Sequence, residues 1–285
     1  MKIYDCFTFY NEFELLELRF KSLWEVVDCF VLVEADKKHT NEPKPYYFWE
    51  RQEDFKKFWS KIRHLPVEMT IDFKGVGDWS IENAQRDAIA YGLEDAAPDD
   101  LILISDLDEI PAPDVVQKIR DGQAADFLDK SPLALEQKFF YYYFDWISPA
   151  LWIGTIITKQ KNLTTPQELR KLKDKFPRVS DGGYHFSYMG GVERVIDKMT
   201  SIVEGPVLIK YFGEKVLDRK HIEQALANGT DIYGRKNFSE DNGRRSFFEE
   251  QMLSFDAKKI RLPHLDEFLR KYPHFLREPE KYFTN

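Results

Sequence analysis

Hydrophobic positions in the first hundred residues switch repeatedly between a strand period and a helix period. Ile3 to Phe9 reads as a short apolar strand. Asn11-Glu12-Phe13-Glu14 then has capping-box form and leads into a helical face at Leu15, Leu16, Leu18, Leu23 and Trp24. Cys29 to Val33 is a continuous apolar run that ends in Glu34-Ala35-Asp36, the pattern of a buried parallel strand with acids at its carboxyl end. Residues 50–61 predict a helix, 62–67 a strand and 80–92 a helix, and Leu101-Ile102-Leu103-Ile104 is the most apolar strand of the chain. This alternation predicts an α/β fold with a central, mostly parallel sheet and helices on both faces. Ligands of such sheets sit beyond the carboxyl ends of the strands.

The second half is less regular. Residues 133–144 and 151–158 predict strands, and Thr165-Pro166-Gln167-Glu168 predicts a helix start with proline in the first turn. The basic run Arg170 to Lys175 reads as a solvated helix face. Tyr184 to Tyr188 is a short strand between glycine pairs, and helices are expected over most of 191–228 and 246–271. With no repeat and no Gly/Ser linker, a single domain over 1–285 is expected: a core over about 1–205 and a helical C-terminal extension over 206–285.

Composition changes this picture in three places. The 285 residues carry 41 Lys+Arg against 49 Asp+Glu, a formal charge of -8, which argues against a general nucleic-acid binder. Aromatic residues reach 15%, enough to fill a core and leave rings for stacking on sugars. The segment Phe139 to Trp146, with Trp152 beyond, is the densest cluster; strand alternation sends most of these rings inward and leaves two or three for carbohydrate. Two cysteines, Cys6 and Cys29, read as plain buried thiols. The opening residues show no signal-peptide core and no apolar run suits a membrane span, so a cytoplasmic protein is expected, with peripheral contact to the inner face of a membrane left open.

The sharpest chemistry lies behind the most apolar strand, in Ser105-Asp106-Leu107-Asp108-Glu109-Ile110-Pro111. Residues i and i+2 of an extended chain point the same way, so Asp106 and Asp108 form a pair that repels unless a cation joins them. Mg²⁺ or Mn²⁺ suits such a pair, because these ions take oxygen ligands and share them with phosphates. The bland alternative is that one acid caps a helix starting near Pro113 while the other is solvated.

Asp106-Leu107-Asp108 has the form of the DxD motif of GT-A glycosyltransferases, and the surrounding text resembles glycosyltransferase family 17. The resemblance runs through Tyr4 to Glu12, Val31 to Ala35, Lys44 to Phe48, Gln85 to Ala88, Ser105 to Pro111 and Gly183 to Ser187, covering roughly residues 3 to 205 in order. It implies a GT-A-like, Rossmann-type sheet and inverting, metal-dependent transfer from a sugar nucleotide, with N-acetylglucosamine from UDP-GlcNAc as the expected donor. The resemblance implies a glycan acceptor, whereas the lack of a signal-peptide core favours a lipid-linked sugar or surface polysaccharide.

The resemblance implies roles for individual residues. Asp108 is the first candidate for direct metal ligation; Asp106 would hold ribose or a metal-bound water. His185 is a third metal ligand or a phosphate contact. Glu34 and Asp36 fall where the fold places nucleotide base and ribose. Arg86 can reach the diphosphate, and Asp87 holds Arg86 indirectly or touches the sugar. Inversion also needs a carboxylate base. Asp181, Glu193, Asp145 and Glu136 are candidates that spacing does not separate, with Asp181 and Glu193 nearest the His185 strand. Two other classes remain beside this one: a non-catalytic glycan-binding protein on the same fold, and a Mg²⁺-dependent phosphoryl-transfer enzyme.

Overall fold

A computed structural model describes residues 1–234 and 251–284. Its nine strands are β1 (Ile3–Phe9), β2 (Cys29–Ala35), β3 (Ile62–Val67), β4 (Leu101–Asp106), β5 (Glu109–Pro111), β6 (Leu133–Tyr141), β7 (Trp146–Lys159), β8 (Arg178–Ser187) and β9 (Leu253–Ser254). They form one sheet in the order β3-β2-β1-β4-β7-β6-β8-β5, with β9 paired to β7. The β3-β2-β1-β4 half is parallel throughout, as the apolar runs predict. Beyond β4 the sheet is mixed: β7 runs antiparallel to β4 and β6, β8 is parallel to β6, and β5 closes the edge antiparallel to β8. The expectation of a mostly parallel sheet therefore holds for the first half only. The short link β6–β7 leaves no room for the crossover a parallel pair requires, so that pair is antiparallel.

Period-two alternation divides the parallel strands between two cores. Ile3, Phe7, Phe30, Leu32, Leu101 and Leu103 face one layer, where the Phe13–Leu23 helix packs. Tyr4, Cys6, Val31, Val33, Ile102 and Ile104 face the other, against Ala88, Ile89 and Leu93. Burying each such aliphatic side chain stabilises the fold by about 1.5–3 kcal/mol before entropy is counted. Both cysteines are free thiols; Cys6 is buried as expected, and Cys29, at the start of β2, is only half-buried.

Several local expectations shift. The helix expected at 50–61 is a short α-helix, Tyr47–Arg51, followed by a 3₁₀ stretch, Gln52–Lys61. The helix at 80–92 is α over Ser80–Asp87 and tightens to 3₁₀ over Ala88–Leu93. No capping box forms at the first helix: the Glu12 carboxylate turns back to accept the backbone N–H groups of Tyr10 and Asn11. Residues 191–228 are helical in pieces, Val192–Ser201, Glu204–Phe212, Glu214–Leu217 and Arg219–Asn228. Of the helix expected over 246–271, residues 246–250 lie outside the described residues, and the helical parts are a 3₁₀ turn, Ala257–Lys259, and an α-helix, Leu265–Lys271. Phe268, Leu269, Phe275 and Leu276 from this end enter the same core as Phe144 and Phe186. Among the described residues, no helix is long and apolar enough to cross a membrane.

Candidate active site

A cleft of about 1030 Å³ opens at the carboxyl ends of β1 and β4. β4 reaches it as a buried apolar strand that ends on Asp106, and Leu107 and Asp108 turn the chain into β5. Arg19, from the Phe13–Leu23 helix, fastens this turn from below. Its guanidinium is fully buried, grips both oxygens of Asp5 at 2.6 and 2.8 Å, and donates to the carbonyls of Asp106, Leu107 and Glu109 at 2.9–3.0 Å.

Asp106 and Asp108 both line the cleft but meet different partners. Asp106 accepts Arg86 at 2.9 Å on one oxygen and Arg170 at 2.7 Å on the other. Burial alone would raise its pKa; Arg170 and Arg86 outweigh burial and hold the carboxyl well below the usual range. Asp108 accepts Lys198 at 2.8 Å, and its other oxygen lies 3.5 Å from His185 Nε2. Burial opposes its ionisation too, and Lys198 and His185 overcome it. Lys198 is half-buried, and although desolvation opposes its charge, Asp108 holds its pKa above the ordinary lysine value.

His185 reaches this position through backbone pairing. β8 lies antiparallel to β5 with His185 opposite Glu109, and Gly183, two residues earlier, is opposite Pro111 at φ +148°. A Cβ at Gly183 would come within 2.4 Å of the Ile110 carbonyl, so this approach requires glycine. The imidazole stacks on Phe139, with ring centres 4.8 Å apart, and lies 4.6 Å from Trp152. Its Nδ1 is buried without a hydrogen-bond partner among the described residues. Behind it, buried Glu109 accepts the Trp152 indole N–H and Arg170, both at 2.6 Å, and the backbone N–H of Asp106 at 3.0 Å.

The donor set bears on a divalent ion. His185 Nε2, 3.5 Å from the Asp108 carboxylate, and that carboxylate offer nitrogen and oxygen donors, whereas both Asp106 oxygens are taken by guanidinium groups. No group of three His, Cys, Asp or Glu side chains converges as a metal cage among the described residues. Two protein donors fit an ion of the Mg²⁺ or Mn²⁺ kind that draws its remaining ligands from water and substrate phosphates. Asp106, expected among the ligands, is better suited to orienting Arg86 and Arg170.

Other expected site residues go elsewhere. Glu34 is fully buried, accepts the Phe48 backbone N–H at 2.9 Å and His64 at 3.1 Å, and has Lys44 at 3.7 Å. Asp36 accepts the backbone N–H of Met69, and Asp87 that of Gln167, each at 2.8 Å. None of these three acids lines the cleft; they tie loops and helices to strand ends. Asp181 and Glu193 do not line it either. Asp181, with its side chain 62% exposed, pairs with Lys138, and Glu193, at 73%, pairs with Arg219. Asp145 accepts the backbone N–H groups of Arg277 and Glu278, and Glu136 accepts the Ser180 hydroxyl. Outward-facing positions on β8 and the next helix explain why proximity in sequence to His185 misleads.

The basic run also reads differently in three dimensions. Thr165 caps the Pro166–Lys171 helix as its sequence predicts, by accepting the Glu168 N–H. The helix lies over the end of β4, however, and its Arg170 is buried among Asp106, Glu109 and the Gly154 carbonyl rather than solvated. Lys173, one turn on, lies over the Trp152 ring at 4.2 Å, and burial together with Arg170 lowers its pKa to about 8. The i, i+3 spacing of Arg170 and Lys173 was the available signal. Glu12 was also missed, although it follows β1 as Glu34 ends β2, and it lines the cleft. From the aromatic segment and its neighbour, Phe139, Tyr141 and Trp152 reach the cleft wall.

Comparison with known proteins places this geometry. A β-1,4-mannosyl-glycoprotein 4-β-N-acetylglucosaminyltransferase from Homo sapiens is 32% identical over 149 residues, covering 49% of this chain and 26% of the human protein. The Rattus norvegicus protein of that name matches to the same extent, and the Mus musculus one is 31% identical over the same length. The chain thus covers about a quarter of these relatives' length. The sequence model of glycosyltransferase family 17 matches residues 1–264, and the chain belongs to that family.

Proposed function

We propose that the cleft transfers a sugar from a nucleotide donor, N-acetylglucosamine from UDP-GlcNAc, to a hydroxyl of a glycan, polysaccharide or lipid-linked sugar, with inversion, on a GT-A-type scaffold. The observation that carries this reading is Asp108 in the turn that follows a parallel strand, beside His185 and Lys198, in a large cleft of a family 17 chain.

Asp108 and His185 would hold Mn²⁺ or Mg²⁺, and a bound ion supplies Lewis-acid stabilisation of the charge on a departing diphosphate. The chain's own residues do the rest. Lys198 and Lys173 face the cleft as ammonium groups and attract phosphate oxygens. Arg86 and Arg170 keep Asp106 ionised and fixed, which preserves the shape of the turn carrying Asp108. Trp152, Tyr141 and Phe139 offer apolar faces on which a sugar ring packs. The relatives act on β-mannosyl glycoproteins by name, which makes a β-mannosyl N-glycan core the first acceptor to try.

The test is turnover and binding of UDP-GlcNAc with Mn²⁺ in the unaltered chain and in Asp108→Ala. Binding with turnover is expected for the unaltered chain. The variant should lose about 100-fold or more in kcat, as for other preorganised charge contacts of about 3 kcal/mol. Equal turnover in the two chains removes Asp108 from the mechanism. A thermal-shift panel of sugar nucleotides checks the donor, since the preferred one raises Tm most.

A further inference from the structure

Transfer to a hydroxyl needs a group that accepts its proton, and the acids first considered for this lie outside the cleft. Those that line it are almost all committed. Glu14 pairs with Arg194 at 3.1 Å, and Glu82 with Arg86 at 2.8 Å. Asp197 accepts the Tyr10 hydroxyl at 3.0 Å and the Asn11 amide at 2.8 Å. Glu12 holds two backbone N–H groups, Asp106 two arginines and Asp108 a lysine, and Asp174 is also partnered. Such contacts stabilise the carboxylate and fix it in place; burial still pushes the Glu12 carboxyl up, but that carboxylate is turned back onto the Tyr10 and Asn11 N–H groups.

Glu204 is the exception. It lines the same cleft and has no hydrogen bond or ion pair to another side chain among the described residues. It opens the Glu204–Phe212 helix, and that helix start is pressed onto the end of the Val192–Ser201 helix. A Cβ at Gly205 would lie 1.8 Å from the Met199 carbonyl, so the two backbones touch there. Glu204 is thereby held in a fixed relation to Lys198, the partner of Asp108.

Resting on the proposed transfer, we propose that Glu204 is the catalytic base. Its carboxylate takes the proton of the acceptor hydroxyl as that oxygen forms its bond to the anomeric carbon. The bond from the anomeric carbon to the diphosphate oxygen breaks, and its electron pair leaves on the diphosphate. The charges facing Glu204 are Glu82 from the Ser80–Asp87 helix, Asp106 from β4 and Lys198 from the Val192–Ser201 helix. Although the residue reaches solvent, burial of its carboxyl within the cleft pushes the pKa up to about 7; Glu82 and Asp106 add to this and Lys198 opposes it. A base in this range combines availability with proton affinity near neutral pH.

The experiment uses the full chain with Mn²⁺ and UDP-GlcNAc, with a β-mannosyl N-glycan core or water as acceptor. Glu204→Gln is expected to lower kcat by about 10²- to 10⁴-fold while the UDP-GlcNAc Kd from calorimetry stays within twofold. In the unaltered chain kcat should rise with pH through about 7, and in Glu204→Asp the same limb should persist at lower activity. That limb should be missing from the residual activity of Glu204→Gln. A Glu204→Gln chain within threefold of the unaltered kcat, or one that keeps the limb, overturns the role of Glu204 and leaves the transfer reading standing. No turnover of UDP-GlcNAc by the unaltered chain overturns both.

Discussion

Arg19 shows how much of the site is built by residues that never touch the cleft. Its five N–H groups meet six acceptors: two on Asp5, the Ser105 hydroxyl and three carbonyls around the Asp106–Asp108 turn. No lysine reproduces that planar fork. Arg19→Lys should therefore destabilise the fold by about 3 kcal/mol or more, read as a lower denaturant midpoint with an unchanged slope. Lys173 is the opposite case, a residue whose charge faces the cleft. With its pKa lowered to about 8, its ammonium is lost as pH rises through that value, so UDP affinity should fall between about pH 7 and 9. Calorimetry should find that fall absent in Lys173→Met. At this scale the sequence was partly legible: the Asp106/Asp108 pair stood out behind its apolar strand, whereas their counter-charges lie 20 to 90 residues away and leave no local pattern.

The elements divide along the same line. Strands β1, β2 and β4 follow from apolar runs because each is buried on both faces, and such a strand needs no partner to declare itself, whereas β3 is a half-buried edge strand. The Pro166–Lys171 helix was legible from its Thr-Pro-x-Glu start, and Thr165→Ala should cost about 1 kcal/mol in urea unfolding. Where that helix docks was not legible, and docking alone turns Arg170 from a solvated cation into one buried between Asp106 and Glu109. The first helix shows the converse. Its capping-box spelling is present, but Glu12 spends its carboxylate on the two preceding backbone N–H groups and so comes to line the cleft.

Across the whole molecule, the two ends of the described chain hold each other. The Leu265–Lys271 helix supplies Phe268 and Leu269 to the main core, and Phe275 and Leu276 follow. Its rim is ionic: Glu17 meets Lys271 at 2.8 Å and Lys21 at 2.9 Å, and Lys21 also meets Glu267 at 2.7 Å. Ending the chain at residue 264 should abolish a sharp thermal transition, because it uncovers several large core side chains. Burial raises the Glu17 pKa, but Lys271, Lys21 and Tyr272 outweigh it and bring it to about 2. A carboxylate depressed in the folded state stabilises above its unfolded pKa and loses that contribution as pH falls through the folded value. Stability from this junction should therefore decline from about pH 4.5 toward pH 2, and acid titration of Glu17→Gln should show a shallower decline. By itself the sequence determined the parallel half of the sheet, the acidic pair behind its strongest strand and the family, because apolar periodicity and a contiguous motif are local properties. Tertiary structure alone decided which charges share the cleft: it withdrew Glu34, Asp36 and Asp181 into structural or surface pairs and brought in Glu12, Arg170, Lys198 and Glu204. Ionic partners are chosen by distance in space and by loss of water, and neither is recorded in the spacing of residues along a chain.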